Sequence, residues 1–276
     1  TNSRPSRQAA SGVVLASPPN SGIVLGSRGR TLSIAGRAIC NKLNLHIAPG
    51  QCVGILGQNG TGKTTLLHTL MQFRSAEHGE ILLGGKLLNA WSRKTLATQL
   101  GILFQSTQDI MPSTVLETAL IGRHPHLADW QWEDVQDEQI ARDALAAMGI
   151  ADFAQREVNT LSGGERQRLA IATLLTQQPR LFLLDEPGNH LDIAYQVQSL
   201  NLLRSHVLEQ RAGLCMATHD INLAARFCDQ ILLLLGDGEF VLGTCAQVLT
   251  QEHLSRAYAC EIRRIELEGR AVFFPA

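Results

Sequence analysis

The chain has 276 residues, with 24 Lys and Arg against 25 Asp and Glu, and a formal net charge of -1. Its length predicts one large domain, or a core with a subdomain, and a balanced charge without basic runs argues against a protein that mainly coats nucleic acid. The longest apolar runs, such as residues 231–235, are far shorter than the roughly 20 residues that span a bilayer. Six scattered cysteines without CxxC pairs, and no charged-then-apolar leader, indicate reduced, mostly buried thiols of a cytosolic protein.

The first 105 residues are predicted to form a tail, then strands, a loop and helices. Residues 1–30 mix Ser, Pro, Gly, Asn and Arg with few large apolar groups, so we expect a flexible tail, because burial offsets little of its ordering entropy. From Thr31 the apolar residues alternate as in strands, and residues 51–56 form a short buried strand before a glycine-rich loop and a helix. Residues 80–105 are strand-like at both ends of a short helix.

The pattern changes after residue 105. Residues 106–160 have helical periodicity, which predicts a helical subdomain. Its apolar faces are Val115, Leu116, Ala119 and Leu120 on one helix, and Ile140, Ala144, Leu145 and Met148 on another. Strand candidates at residues 181–185, 214–218 and 230–235 then alternate with helical stretches. This alternation is typical of βαβ units, so we expect an α/β fold with a mostly parallel sheet flanked by helices.

A phosphate-binding loop is predicted directly after the buried strand. The sequence GQNGTGKTT matches G-x-x-x-x-G-K-[ST], between a strand and a helix as the motif requires. Glycines let backbone N–H groups surround phosphates, and the helix N-terminus adds positive potential. We expect Lys63 to neutralise phosphate oxygens and the Thr64 hydroxyl to bind Mg²⁺. The predicted nucleotide-binding residues are Gly57, Gln58, Asn59, Gly60, Thr61, Gly62, Lys63, Thr64 and Thr65.

Two carboxylates follow a second apolar strand, in the sequence LFLLDEP. The carboxyl ends of buried strands are where α/β proteins bind their ligands. Asp185 is therefore placed to hold Mg²⁺ through water. Glu186, one residue later, points elsewhere and can polarise a water for attack on the γ-phosphate.

The segment LSGGERQR begins a helix. Ser162 is expected to cap it, with Glu165 completing a capping box. Gly163 and Gly164 in the first turn cost stability, which indicates that the backbone approaches another group closely. A phosphate is the natural candidate.

With these motifs together, residues 31–260 resemble the ATPase subunit of an ABC transporter, and LSGGERQR is similar to the signature motif of that family. The resemblance implies a P-loop ABC ATPase core, with an additional antiparallel β portion, at residues 31–105 and 161–250. It also implies an inserted helical subdomain at 106–160, with the signature at its end, and a short C-terminal extension at 251–276. Two copies would form a head-to-tail dimer, in which Ser162, Gly163 and Gly164 of one copy close on the ATP held by Lys63 of the other.

Further residues take their roles from the resemblance alone. Gln105 matches the glutamine that senses Mg²⁺ and the membrane partner, and His219 matches the histidine that contacts the γ-phosphate. Asp192 matches the aspartate of the loop that crosses the dimer interface. The catalytic set is then Glu186, His219, Gln105 and Lys63, the metal set is Thr64, Gln105 and Asp185, and the ligands are ATP and Mg²⁺.

The chain departs from the family pattern at two positions. Ile34 stands where the family usually stacks an aromatic residue on adenine, and such stacking is worth about 1 to 3 kcal/mol per base in nucleic-acid complexes. We therefore predict modest ATP affinity and weak base discrimination, with aliphatic contact from Ile34 instead. Gly188 stands where Thr or Leu is frequent, and it leaves Asp192 intact.

A single cassette without a fused membrane domain resembles an importer ATPase. Residues 115–126 and 248–258 are similar to the branch that serves iron chelates, haem and vitamin B12. We expect uptake of haem or a ferric siderophore, with a corrinoid as the close alternative. The implied partners are two copies of a separate permease and, through it, a periplasmic or surface substrate-binding protein, with no nucleic acid. The implied location is the cytoplasmic face of the inner membrane.

Other functions fit the sequence less well. A soluble ABC ATPase of DNA repair or translation typically has two cassettes or a long coiled coil, and a phosphate-loop kinase has no use for LSGGERQR. His124 and His126 could suggest a haem or metal site, but histidines spaced i, i+2 around Pro125 are more typical of a surface loop. We expect Trp130 and Trp132 to serve packing or subunit contact.

Overall fold

The structure is a computed structural model that describes residues 13–14, 25–34, 37–71, 78–105 and 112–276. Its strands are β1 (Val13–Val14), β2 (Leu25–Ile34), β3 (Arg37–Leu43), β4 (His46–Ile47), β5 (Cys52–Leu56), β6 (His78–Leu83), β7 (Lys86–Leu87), β8 (Leu100–Leu103), β9 (Leu181–Asp185), β10 (Gly213–Ala217), β11 (Gln230–Gly236), β12 (Glu239–Thr244), β13 (Ile262–Leu267) and β14 (Arg270–Pro275). Its α-helices are α1 (Lys63–Leu70), α2 (Arg93–Gln99), α3 (Val115–Leu120), α4 (Val135–Ala147), α5 (Gly163–Gln177), α6 (Ile193–Glu209), α7 (Ile221–Phe227), α8 (Cys245–Val248) and α9 (Gln251–Tyr258).

A seven-stranded sheet in the order β1-β12-β11-β5-β10-β9-β8 forms the centre of the fold. All its pairings are parallel except β11 with β12. Strands β5, β9 and β10 are buried at every residue, and successive side chains alternate between two apolar cores on the two faces of the sheet. Burial on both faces explains their continuous apolar sequences. The residues that follow these three neighbouring strands therefore meet at one edge.

A second, antiparallel sheet covers one of the two cores. It has the order β3-β2-β6-β7, with β4 also paired to β2. Its apolar residues, including Leu25, Leu43 and Ile81, pack with Leu66 and Leu67 of α1. The mixed main sheet, its helices and this antiparallel sheet are the fold class that the sequence analysis predicted.

The helical subdomain packs on α5. Of the predicted faces, all residues except the half-buried Leu120 and Ile140 are buried in the other core. His124 and His126 lie, exposed, in a 3₁₀ segment (Ile121–His126) rather than a loop, and contact Glu133 and the Gln177 carbonyl. Trp130 and Trp132 are 99% and 84% exposed, so they do not pack within this chain, and subunit contact, the other predicted role, stays a prediction. Residues 106–111 of the predicted subdomain lie outside the described residues.

The predicted tail boundary at residue 30 is too late. Strand β2 begins at Leu25, which is buried and pairs with Ile47 and Leu83. Val13 and Val14 pair with β12 in parallel. These pairings join residues far apart in the chain, so the local composition gave no sign of them. The rest of residues 1–24 lies outside the described residues.

Residues 251–276 form more structure than the predicted short extension suggests. Helix α9 packs against β11, and β13 and β14 form an antiparallel hairpin. All six cysteines are free thiols, and four of them are buried, as the sequence predicted. Within the described ranges, no helix has both the length and the apolar character needed to cross a membrane.

Candidate active site

The loop between β5 and α1 has the backbone of a phosphate-binding loop. Gly57, Gly60 and Gly62 adopt φ angles of 152°, 80° and 101°, which L side chains rarely tolerate. A Cβ atom at Gly57 would also lie 2.8 Å from Oγ1 of Thr61 and 3.1 Å from the Leu234 carbonyl oxygen. The glycines are therefore required by the shape of the loop, which ends where α1 begins at Lys63.

Lys63 is buried, and its side chain reaches back into this loop. Its Nζ donates to the carbonyl oxygens of Gly57, at 2.9 Å, and of Gln58, at 3.2 Å. Burial lowers the pKa of the ammonium group, and the nearby carboxylates of Glu186 and Asp185 oppose this shift. The same interactions show that the phosphate loop and the end of β9 come together.

Asp185 is the last residue of β9 and is 2% exposed. Its Oδ1 atom is buried and has no hydrogen-bond partner among the described residues. A buried carboxylate oxygen without a partner is costly unless a cation or a proton donor satisfies it. The position of Asp185, beside Lys63 at the edge of the sheet, suits a carboxylate that faces a bound cation.

Glu186 is held against the neighbouring strand. Its N–H donates to the Ala217 carbonyl oxygen at 2.9 Å, and its φ angle of 50° is unusual for a residue with a side chain. This backbone turns the side chain toward His219, and Oε2 lies 2.8 Å from Nδ1 of the imidazole. Unusual backbone conformations at a strand end are common in active sites.

The first turn of α5 faces the loop at residues 187–192 of the same chain. Ser162 caps the helix, and its N–H donates to Oε2 of Glu165 at 2.7 Å, which completes the predicted capping box. A Cβ atom at Gly164 would lie 2.9 Å from the His190 carbonyl oxygen. Gln167 Nε2 donates to the Pro187 carbonyl oxygen at 3.1 Å. The close approach that the glycines predict is therefore present at Gly164, which lies against the backbone of His190 in the same chain. Ser162 and Gly163 are exposed.

A family model described as "ABC transporter" matches residues 40–189. This range contains the phosphate loop, the signature segment and the carboxylates of Asp185 and Glu186, whereas His190, Ala217 and His219 lie beyond it. The chain belongs to the ABC transporter family. It is an ABC ATPase that binds nucleotide, and the predictions of its family, fold class and enzymatic class are confirmed.

Three curated relatives are similar to this ABC ATPase. An uncharacterized ABC transporter ATP-binding protein of Bacillus subtilis, YvrA, is 39% identical over 197 residues, which are 71% of this chain but only 45% of that protein. The petrobactin import ATP-binding protein FpuD of Bacillus anthracis is 36% identical over 249 residues, 89% of this chain and 90% of that protein. The hemin import ATP-binding protein HmuV of Gloeobacter violaceus is 35% identical over 245 residues, 86% of this chain and 88% of that protein.

A solved structure has the same fold over nearly the whole chain. It is an ABC transporter described as of the metal-chelate type, in an inward-facing conformation. The TM-score is 0.79 at 26% sequence identity, and the match covers 92% of this chain and 98% of that chain.

The other predicted site residues of this ABC ATPase stand on three further elements. Gln105 is exposed in the bend after β8, although the neighbouring Phe104 ring packs at 5.9 Å from His68 of α1. Asp192 is exposed and caps α6 by accepting from the Tyr195 N–H at 2.9 Å. Ile34 is the last residue of β2, and its side chain lies outside the described part of the structure.

The structure also adds a residue that the sequence analysis missed. The hydroxyl of Tyr258, at the end of α9, donates to the His219 carbonyl oxygen at 3.4 Å. Tyr258 lies 39 residues beyond His219 in the chain, within the segment that the family resemblance implies is a short extension. No local pattern around Tyr258 indicates this contact.

Proposed function

We propose that this chain hydrolyses ATP to drive import of an iron chelate, as the motor subunit beneath a separate permease. The observation that carries the proposal is the Glu186–His219 pair at the strand ends next to Lys63 and Asp185. Support for the cargo comes from the relatives named for petrobactin and hemin import and from the metal-chelate type of the solved transporter.

The residues at the strand ends suit hydrolysis of the γ-phosphate. Glu186 accepts a proton from the attacking water, whose oxygen bonds to the γ-phosphorus as the bond to ADP breaks. Lys63 leaves the loop carbonyls for the phosphate oxygens and balances their charge. His219 orients the Glu186 carboxylate through the 2.8 Å contact and reaches the γ-phosphate from the exposed side. Most of the acceleration comes from this positioning and charge stabilisation.

The residues present fit a magnesium ion. The partnerless Oδ1 of Asp185 supplies a carboxylate oxygen, and Thr64 supplies a hydroxyl from the first turn of α1. Gln105 is the third proposed ligand, and it would reach the ion from its exposed bend. Oxygen donors of this kind suit Mg²⁺. When bound, the ion would neutralise charge on the phosphate oxygens.

We propose that a second copy completes each site. Ser162 and Gly163 are exposed, and the nearest atoms to a Cβ at Gly163 belong to His190, not to the phosphate loop. The exposed start of the 15-residue α5 suits a phosphate held by another copy, because the N-terminus of a helix attracts anions. Asp192 is exposed at the start of α6. It follows His190 by two residues, and His190 lies against Gly164, so Asp192 is near the start of α5.

The partners follow from this role. Two copies of the permease would carry the cargo through the membrane, and a periplasmic or surface binding protein would deliver it. The dimer would sit at the cytoplasmic face of the inner membrane. Closure of the dimer on two ATP molecules would move the permease, and hydrolysis would reset it.

The test is ATP hydrolysis in vesicles that contain the chain with its co-purified permease. We expect Mg²⁺-dependent phosphate release that a binding protein loaded with haem or a ferric siderophore stimulates. Lys63→Ala should remove ATP binding, whereas Lys94→Ala, which only breaks a surface ion pair with Asp129, should not. If only a binding protein loaded with a corrinoid stimulated hydrolysis, the cargo would be a corrinoid and not an iron chelate. Phosphate release no faster than that of Lys63→Ala would refute the ATPase role.

A further inference from the structure

Helix α9 places a tyrosine next to the backbone of His219 in the candidate active site. Leu254 and Ala257 of α9 are buried, and the helix packs against β11 and β13. Its last residue, Tyr258, places its hydroxyl 3.4 Å from the carbonyl oxygen of His219. The C-terminal segment therefore contacts the backbone of the residue that faces Glu186.

The hydroxyl lies among the other parts of the site. Burial raises the pKa of Tyr258 to about 12, the carboxylates of Glu186 and Asp220 add to this, and the backbone of Gly57 opposes it. The group therefore stays protonated at neutral pH and remains a hydrogen-bond donor. It stands between the first residue of the phosphate loop and the turn that carries His219.

The residues on both sides of His219 have contacts of their own, and Oδ1 of Asp220 accepts from the Leu223 N–H at 3.0 Å. The N–H of Thr218 donates to the Ile55 carbonyl oxygen at 3.1 Å, and the N–H of Asp220 donates to Oγ1 of Thr218 at 3.1 Å. The His219 side chain is 62% exposed, so packing does little to fix it. The Tyr258 hydroxyl contacts the carbonyl oxygen of the residue that lies between these anchored neighbours.

A second contact joins the C-terminal hairpin to the same turn. Asn222, in the first turn of α7, accepts from the N–H of Phe273 and donates to its carbonyl oxygen, both at 2.9 Å. Helix α7 begins at Ile221, two residues after His219. Residues 251–276 thus hold both the histidine turn and the helix that follows it.

We propose that Tyr258 is a positioning residue, whose hydroxyl holds the His219 carbonyl and thereby keeps the imidazole against Glu186. The inference rests on the proposed function, because it gives His219 a part in hydrolysis. A distance of 3.4 Å is long for an O–H···O hydrogen bond. It should shorten when nucleotide closes the site, as active-site hydrogen bonds commonly do.

The test compares Tyr258→Phe with the wild-type chain in the permease vesicles. Removing the hydroxyl should lower kcat about three- to tenfold, the effect of one ordinary hydrogen bond, and leave KM unchanged. The matched control is Ser255→Ala, which removes another α9 hydroxyl. Ser255 accepts from the Ile262 N–H at 2.9 Å and serves only the hairpin. We expect Ser255→Ala to lower the Tm and keep kcat.

A double-mutant cycle separates positioning from general loosening. If Tyr258 acts through His219, Tyr258→Phe should have no further effect in a His219→Ala background, measured in single turnover with excess enzyme. Equal effects of Tyr258→Phe in both backgrounds would overturn the proposal. So would a kcat of Tyr258→Phe equal to that of the wild type.

One readout does not depend on turnover. The NMR resonance of the His219 ring should shift in Tyr258→Phe and stay in place in Ser255→Ala. An unchanged resonance in Tyr258→Phe refutes the positioning role even where hydrolysis itself fails. Conversely, the His219 resonance could shift in Tyr258→Phe while the wild-type chain hydrolyses no ATP. That result would refute the proposed function but support the contact between Tyr258 and His219.

Discussion

The Oε2 atom of Glu186 and the Nδ1 atom of His219 lie 2.8 Å apart. The two residues are 33 positions apart in the chain and follow neighbouring strands, in which Asp185 of β9 is paired with Ala217 of β10. The Glu186 side chain is 10% exposed and the imidazole 62% exposed. A buried carboxylate thus contacts a ring that is mostly exposed, which fits the orienting role that we propose for His219.

Replacing Glu186 with glutamine tests the role of this carboxylate. Glu186→Gln keeps the size of the side chain but removes the proton acceptor, so we expect the hydrolysis rate to fall by about 100-fold or more. Retention of ATP is expected, because Lys63 and the loop are unchanged. The measurements are phosphate release and ATP retention after gel filtration.

A matched control is Glu133→Gln, which alters another Glu–His pair, with His124 at 3.0 Å on the surface. This variant should hydrolyse ATP at the wild-type rate. Rapid hydrolysis by Glu186→Gln would remove Glu186 from the role of base.

Gly188 is explained by a neighbour in α6. A Cβ atom at position 188 would lie 2.9 Å from both Cγ and Cδ of Gln196, so Gln196 fills the space that a larger residue at position 188 would take. We expect Gly188→Ala to lower the free energy of unfolding by no more than about 1 kcal/mol, because the flexible Gln196 side chain can turn aside.

The double variant Gly188→Ala with Gln196→Ala should recover most of this loss in a urea titration, since it removes the crowding. Gln196→Ala alone provides the baseline. Simple addition of the two single effects would contradict the explanation.

The missing aromatic residue at position 34 should affect nucleotide affinity. If Ile34 contacts the base, Ile34→Tyr adds a stacking surface and should tighten ATP binding about fivefold or more. The preference for ATP over GTP should change as well. Equilibrium titration with both nucleotides measures this.

Ile265→Tyr is the control, because Ile265 is an exposed isoleucine on β13. It should leave both dissociation constants unchanged. Equal constants for Ile34→Tyr and the wild type would show that position 34 does not touch the base.

Burial of His206 should make stability depend on pH. Its ring lies edge-on to Phe182, with centroids 5.5 Å apart, and burial lowers its pKa from the ordinary 6.5, against the charge of Glu209. As the pH falls, the unfolded chain therefore takes up a proton at His206 at a higher pH than the folded chain does. Stability should be constant above the unfolded pKa and should fall as the pH drops below it.

His206→Gln should reduce this loss, measured by urea unfolding at about pH 7.5 and about pH 5.5. The exposed Gln210 at the end of the same helix provides the control, since Gln210→Ala removes no titrating group and should keep the full pH dependence. His46 contributes in the same direction, because burial also lowers its pKa. If His206→Gln lost as much stability at low pH as the wild type, other residues would cause the pH dependence.

The local features of this site could be read from the sequence. The phosphate loop, the carboxylates Asp185 and Glu186, and the helix start at Ser162 depend on residues within a few positions of one another. Continuous apolar runs marked β5, β9 and β10, since strands buried on both faces need no polar alternation. The family resemblance added the roles of His219, Gln105 and Asp192, which no local pattern assigns.

Tertiary structure alone decided which of these groups touch. The register of β9 with β10 brings Glu186 to His219, and packing of α5 on the following loop brings Gly164 to His190. Leu25 becomes a strand residue through its partners Ile47 and Leu83, against its local composition. Tyr258 reaches His219 only because α9 packs on β11. These contacts join residues tens of positions apart, and their energies come from pairing and burial that a short window of sequence does not contain.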